Sequence, residues 1–142
     1  MRTLFDVSVL LPLFDPEHAH HERASAWWAE HQDEGWASCP LTQNGFIRVV
    51  SGRGYPRPMA LGAAISILRA QSKLPSHEFW PDDISLMDQE VFAHGRILGP
   101  KQITDAYLLG LAVQRGGRFA TFDQSIPVGA VRGAQERHVV VI

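Results

Sequence analysis

Short apolar runs that stop on a polar residue and give way to helical spacing restrict the fold of this chain most. Thr3 to Val7 reads as a short buried strand meeting the charge of Asp6, and Ser8 is placed to cap a helix that Pro12 must shorten or kink. Glu17 to Glu34 carries apolar and charged residues at helical intervals and predicts one long surface helix, which Gly35 ends. Trp36 to Cys39 supplies a second strand, and Pro40 opens a helix carrying Phe46, Ile47, Val49 and Val50. Residues 52–58, Gly-Arg-Gly-Tyr-Pro-Arg-Pro, are a loop by composition.

The pattern repeats downstream. Met59 to Gln71 predicts an amphipathic helix, His77 to Trp80 a short strand ended by Pro81-Asp82-Asp83, and Asp88 to Gly95 a further helix. Thr104 is placed as the N-cap of a helix over Asp105 to Arg115, stopped by Gly116-Gly117. Arg118 to Thr121 is a strand delivering Asp123, and His138 to Ile142 a last strand buried on both faces. Strands alternating with helices predict an α/β fold: a central parallel β-sheet flanked by helices on both faces, joined by right-handed crossovers. At 142 residues, with no repeat or linker, the whole chain (1–142) reads as a single domain.

Composition removes several classes of function. A hydrophobic fraction of 45% and a charged fraction of 20% suit a folded globular chain, and a net charge of -2 opposes a broadly cationic coat for nucleic acid. Cys39 is the only cysteine, which excludes an intrachain disulfide and a thiolate-rich zinc site and fits a reducing cytoplasm. No apolar run approaches about 18 residues, and Asp6 interrupts any leader-like core, so neither membrane spanning nor secretion is expected.

Three aspartates, Asp6, Asp105 and Asp123, stand where a predicted strand ends or a helix begins. Those positions project into the crevice at the carboxyl edge of a parallel sheet, where α/β proteins bind ligands. Carboxylates converging there repel one another unless a cation lies between them. Asp105 taken alone reads as a capping or first-turn acid on the helix dipole, and Asp123 could merely begin a turn. Asp6 ends a buried strand, where an unpaired carboxylate is costly. An all-oxygen set favours Mg2+, with Mn2+ as the alternative, over zinc.

The segments Leu-Phe-Asp-Val-Ser-Val-Leu-Leu (4–11), Cys-Pro-Leu-Thr-Gln-Asn-Gly-Phe-Ile-Arg-Val (39–49), Ile-Thr-Asp-Ala-Tyr-Leu-Leu-Gly-Leu-Ala (103–112) and Gly-Gly-Arg-Phe-Ala-Thr-Phe-Asp (116–123) together resemble a PIN-domain ribonuclease of the VapC toxin family. The resemblance runs through nearly the whole chain. It implies a PIN-like fold and a Mg2+-dependent endoribonuclease, the toxin of a type II toxin–antitoxin system. The implied substrate is structured RNA, a tRNA or rRNA loop; the implied partners are a VapB-like antitoxin and a second copy of the chain. Asp6, Asp105 and Asp123 match the family's metal-binding and catalytic acids, with Ser8 and Thr104 in supporting places. The sequence departs from the family in the third helix, where a Thr-x-x-Glu pattern is replaced by Thr42-Gln43-Asn44-Gly45. Gln43 and Asn44 offer amides in place of a fourth acid.

Candidate phosphate contacts are Arg48, Arg53, Arg57 and Lys101, each of which taken singly also reads as solvated surface charge. The cluster His18-x-His20-His21-Glu22 matches no standard zinc spacing and reads as helix-opening polar residues. Trp27 and Trp28 suit either packing or a dimer surface, and Asp82 and Asp83 a turn. A haloacid-dehalogenase phosphatase needs a second acid where Ser8 stands, and a receiver domain needs a late lysine that is missing after Lys101. A non-catalytic PIN-like module that binds RNA or protein is the remaining alternative.

Overall fold

A computed structural model describes the whole chain, Met1–Ile142. Its centre is one sheet of five strands: β1 (Thr3–Phe5), β2 (Trp36–Ser38), β3 (His77–Phe79), β4 (Arg118–Thr121) and β5 (Val139–Val141). The strand order is β3-β2-β1-β4-β5 and every neighbouring pair is parallel. β2 and β3 therefore lie on one side of β1, and β4 and β5 on the other. The order reverses between β1 and β4, which opens a crevice at their carboxyl ends.

Side-chain alternation divides the apolar residues between two cores. Phe5, Trp36 and Ala120 face one way, onto α1 (Val7–Phe14), α2 (His21–His31), α3 (Pro40–Val50) and α4 (Leu61–Ser72). Leu4, Ala37 and Phe119 face the other way, onto α5 (Ile103–Gln114), Trp80 and Phe92. Helices thus cover both faces, as the alternating pattern predicts. Trp27 and Trp28 both meet Phe5 edge-on, with centroids 6.1 and 5.6 Å away, and Trp36 stacks on it at 5.4 Å. The tryptophan pair packs against this core while each ring stays partly exposed.

Several boundaries differ from the sequence expectation. The long helix over 17–34 is α2 alone, preceded by turns and followed by a 3-10 turn at Gln32–Glu34. Residues 88–95 form turns around an antiparallel bridge from Phe92 to Val131, because Val91 and Phe92 are buried next to each other, which suits an extended bridge better than one helical face. β1 stops at Phe5, and Asp6 becomes the N-cap of α1 in extended conformation, so Ser8 lies inside the helix. Pro12 sits within α1, buried, and the helix ends two residues later. α5 starts at Ile103 because a 3-10 turn, Pro100–Gln102, runs straight into it; Thr104 is exposed in its first turn and caps nothing. β5 is an edge strand, with Val141 exposed and its neighbours half-buried, so it is not buried on both faces.

Candidate active site

The crevice between β1 and β4 holds Asp6 and the residues that fix it. The Asp6 N–H donates to the carbonyl of Ala120 over 3.0 Å, extending the β1–β4 ladder by one bond past the strand. Its Oδ2 accepts two hydroxyls, Ser8 Oγ at 2.6 Å and Thr121 Oγ1 at 2.8 Å. Each hydroxyl is polarised in turn by a backbone N–H: Phe122 donates to Ser8 Oγ and Asp123 to Thr121 Oγ1, both at 3.0 Å. A hydroxyl has one proton, and both protons go to Asp6, so the 3.2 Å Ser8–Thr121 approach is a contact between two acceptors. Asp6 Oδ1 has no protein hydrogen-bond partner.

Asp123 lies exposed two residues past the end of β4, its Oδ1 accepting from the N–H of Ser125 at 2.8 Å. Its Oδ2 is free. Asp105 arrives from the other core: it is the third residue of α5, whose amino end lies at the carboxyl edge because the helix leads down into the start of β4. No hydrogen bond holds its carboxylate, so the first-turn capping role that its position suggests is not realised. Burial pushes the Asp105 carboxyl up to about 6, and the charges of Asp6 and Asp123 add to the rise. Carboxylates 99 and 18 positions away in sequence therefore act on it through space.

The three acids share one electrostatic site with a free oxygen on each. No group of three or more His, Cys, Asp or Glu side chains is arranged to hold a metal ion by itself, and none of the cavities is lined by these acids. An ion held there would need water or substrate oxygens to complete its shell, which suits a hard cation such as Mg2+ that keeps several waters.

The other candidates fall in different places. Gln43 Nε2 donates to the buried Ser38 Oγ at 3.0 Å, and Ser38 meets His77 Nε2 at 2.8 Å. His77 Nδ1 faces the Ser72 carbonyl at 3.0 Å, which fixes that nitrogen as the donor and makes Ser38 donate to Nε2. Gln43 thus closes a polar chain on the α4 face, opposite α5, and together with exposed Asn44 it lines an α3–α4 groove of about 300 Å³. Asp82 Oδ2 accepts from the Leu41 N–H at 3.0 Å and caps α3, while Asp83 pairs with Arg115 at 2.6 Å. Lys101 is exposed just before α5, near Asp105 in sequence.

The 52–58 loop is not beside the acids. Tyr55 donates to Asp15, which follows the last residue of α1, and Arg57 pairs with Glu17 at 2.5 Å. An eight-residue helix about 12 Å long separates that loop from Asp6. Arg48, exposed, is in the last turn of α3, and Arg53 is exposed in the loop. Of the histidines, His21 Nδ1 bonds the Pro12 carbonyl at 2.7 Å and His18 Nδ1 accepts the His20 N–H at 3.0 Å, so both serve local structure. Thr121 was the site residue missed: it looks like one more strand threonine, and only the pairing of β4 with β1 brings it onto Asp6.

The PIN domain profile matches residues 3–130 of this chain. Ribonuclease VapC44 of Mycobacterium tuberculosis is 49% identical over 142 residues, covering all of both chains. The chain belongs to the VapC family of PIN-domain proteins. A second VapC relative from that organism, Ribonuclease VapC39, is 36% identical over 137 residues, 96% of this chain and 99% of its own. Two solved structures share the fold. The M. tuberculosis VapC20, described as a sarcin-ricin loop cleaving toxin, superposes with a TM-score of 0.63 at 15% identity, over 94% of this chain and 97% of its own. PAE2754 from Pyrobaculum aerophilum gives 0.57 at 24% identity, over 94% and 82%. The VapC assignment and the PIN-like α/β fold thus agree with the sequence resemblance.

Proposed function

We propose that this VapC protein is a Mg2+-dependent endoribonuclease acting as the toxin of a type II toxin–antitoxin pair. The observation that carries the reading is the coupling of Asp105 to Asp6 and Asp123 in the β1–β4 crevice, each with an oxygen free. Names of full-length relatives as ribonucleases support the reaction class. A single domain working in the cytoplasm fits a substrate such as a tRNA or rRNA loop, whose unpaired bases a protein can reach.

Asp6 and Asp105 would hold a Mg2+, or in its place Mn2+, with Asp123 nearest the side where a second ion or a water would be oriented. A bound divalent ion supplies Lewis-acid polarisation of the scissile phosphate and lowers the pKa of an attacking water. Ser8 and Thr121 keep Asp6 in one rotamer and leave its Oδ1 without a protein partner. Asp105, whose carboxyl burial raises to about 6 with no cation beside it, would be drawn back to its charged form by a bound ion. Gln43 and Asn44 add no charge, so the site relies on the substrate phosphate to complete it. Lys101, Arg48 and Arg53 can meet RNA backbone, and Arg57 only after leaving Glu17.

The partners follow from the same reading: a VapB-like antitoxin whose tail presents an arginine to the carboxylates, and a second copy of the chain. The deciding experiment is incubation of the protein, freed of any copurifying partner, with total RNA in Mg2+ and then in chelator. Cleavage in Mg2+ alone is expected. RNA left intact in both conditions leaves the non-catalytic binding module as the reading, and light scattering that gives a monomer at micromolar concentration removes the dimer.

A further inference from the structure

Phe122, between Thr121 and Asp123, carries two nitrogen-bearing side chains whose polar atoms no other part of the molecule hydrogen-bonds. The His20 ring stacks on it, with centroids 5.2 Å apart and planes 25° from parallel. The Arg23 guanidinium lies 5.5 Å from the centre of the same ring. Both residues are exposed. Arg23 forms no ion pair and no hydrogen bond through its side chain, and neither ring nitrogen of His20 is bonded; the His20 backbone alone is engaged, its N–H by His18 and its carbonyl by the Ala24 N–H. An aromatic face is a good seat for a guanidinium, because it holds the flat ion without consuming its five N–H donors.

The place of this stack gives it meaning. The Phe122 N–H donates to Ser8 Oγ, the hydroxyl that holds Asp6, so the ring is fixed to the acid site through one residue. His20 precedes the first residue of α2, whose amino end has no side-chain cap, so the helix dipole adds positive potential there. The one opposing charge in that turn, Glu22, is about 100° around the helix from Arg23. Three acids that attract a cation thus border an anchored, donor-rich patch that suits an anion.

We propose that Arg23 and His20, seated on Phe122, form a phosphate-binding subsite that holds the RNA backbone next to the scissile bond on the Asp123 side. It rests on the nuclease reading and adds to it the direction in which the strand leaves the acids. A phosphate is the fitting ligand because a guanidinium fork matches two phosphate oxygens and an imidazole can donate a ring N–H to a third.

The test is binding of a fluorescein-labelled oligouridylate, followed by anisotropy across a salt series, with Asp105→Asn as the background to arrest turnover. Adding Arg23→Gln should weaken binding and make the slope of log K against log salt shallower by about 0.7, the value for one phosphate contact on a single strand. His20→Ala should weaken binding further, and Arg23→Lys should keep the slope while losing part of the affinity. In the otherwise native protein, Arg23→Gln should raise KM for RNA with little change in kcat. An unchanged slope and KM in Arg23→Gln, with cleavage by the native protein intact, overturns the subsite and leaves the nuclease standing. Absence of both cleavage and oligouridylate binding in the native protein overturns both.

Discussion

Thr121, the last residue of β4, donates its hydroxyl proton to Asp6 across 115 positions of sequence and 2.8 Å of space. Together with Ser8 it occupies one oxygen of Asp6 and leaves the other free. Thr121→Val keeps the shape of the side chain and removes the donor, and it also deprives the Asp123 N–H of its acceptor. We expect RNA cleavage to fall roughly 10–100-fold, mostly in kcat, as for loss of a group that orients a metal ligand. Stability should fall by about 1–2 kcal/mol. Steady-state kinetics and a thermal melt check both, and native kcat in Thr121→Val would remove the residue from the site.

Asp105→Asn should abolish divalent-dependent cleavage and make the metal-free protein more stable. The Asp105 carboxyl titrates at about 6 in the fold against 3.8 unperturbed, so folding disfavours its charged form. The penalty is absent below pH 3.8 and grows as pH rises through about 6. Each pKa unit corresponds to about 1.4 kcal/mol, and solvent at this half-buried group reduces the sum, leaving a gain of about 1–2 kcal/mol for the amide. Melts in chelator should therefore separate the two proteins at pH 7.5 and converge at pH 4. Equal melts at pH 7.5 would mean that the carboxylates do not repel as described.

The same titration makes cation binding depend on pH. A proton and Mg2+ compete for Asp105, so apparent affinity should be nearly flat above pH 7 and fall up to about tenfold per unit below pH 6. Calorimetry in two buffers of different ionisation enthalpy should show close to one proton released per ion at pH 5 and almost none at pH 8. A proton count independent of pH would assign the ion to other ligands.

How much of this was legible in the sequence follows from what each feature depends on. Asp6 and Asp123 could be placed because a strand end is a local event, visible as an apolar run meeting charge. Their convergence with Asp105 follows once the sheet is taken as parallel, since every strand then ends at the same edge. Thr121 and the Phe122 stack were not legible, because they depend on which strands are neighbours, and nothing local states that β4 lies beside β1. The turns at 88–95 were misread as helix for a related reason: Val91 and Phe92 owe their burial to α5 and to the bridge at Val131, tertiary partners that a periodicity cannot show. Arg57 looked free for RNA because its partner, Glu17, is 40 residues away in a turn that the pattern assigned to helix.

The absent fourth acid has a steric counterpart in the packing of α3 on α1. Reading Thr-x-x-Glu from Thr42 places the glutamate at 45, where the chain has glycine. A Cβ built at Gly45 would lie 2.6 Å from Val7 Cγ2, and Val7 is the first residue of α1, directly after Asp6. A side chain there must either turn Val7 out of its rotamer or move α1, and moving α1 carries Asp6 with it. Gly45→Ala should therefore cost about 1–3 kcal/mol by overpacking, partly offset by the better helix propensity of alanine, and lower cleavage through displacement of Asp6. Gly45→Glu should do worse on both counts and fail to strengthen Mg2+ binding. Pairing it with Val7→Ala, which clears the space, should recover stability and tighten Mg2+, because a fourth carboxylate could then enter the crevice. Tighter Mg2+ binding in Gly45→Glu alone would show that α1 yields more easily than this contact implies.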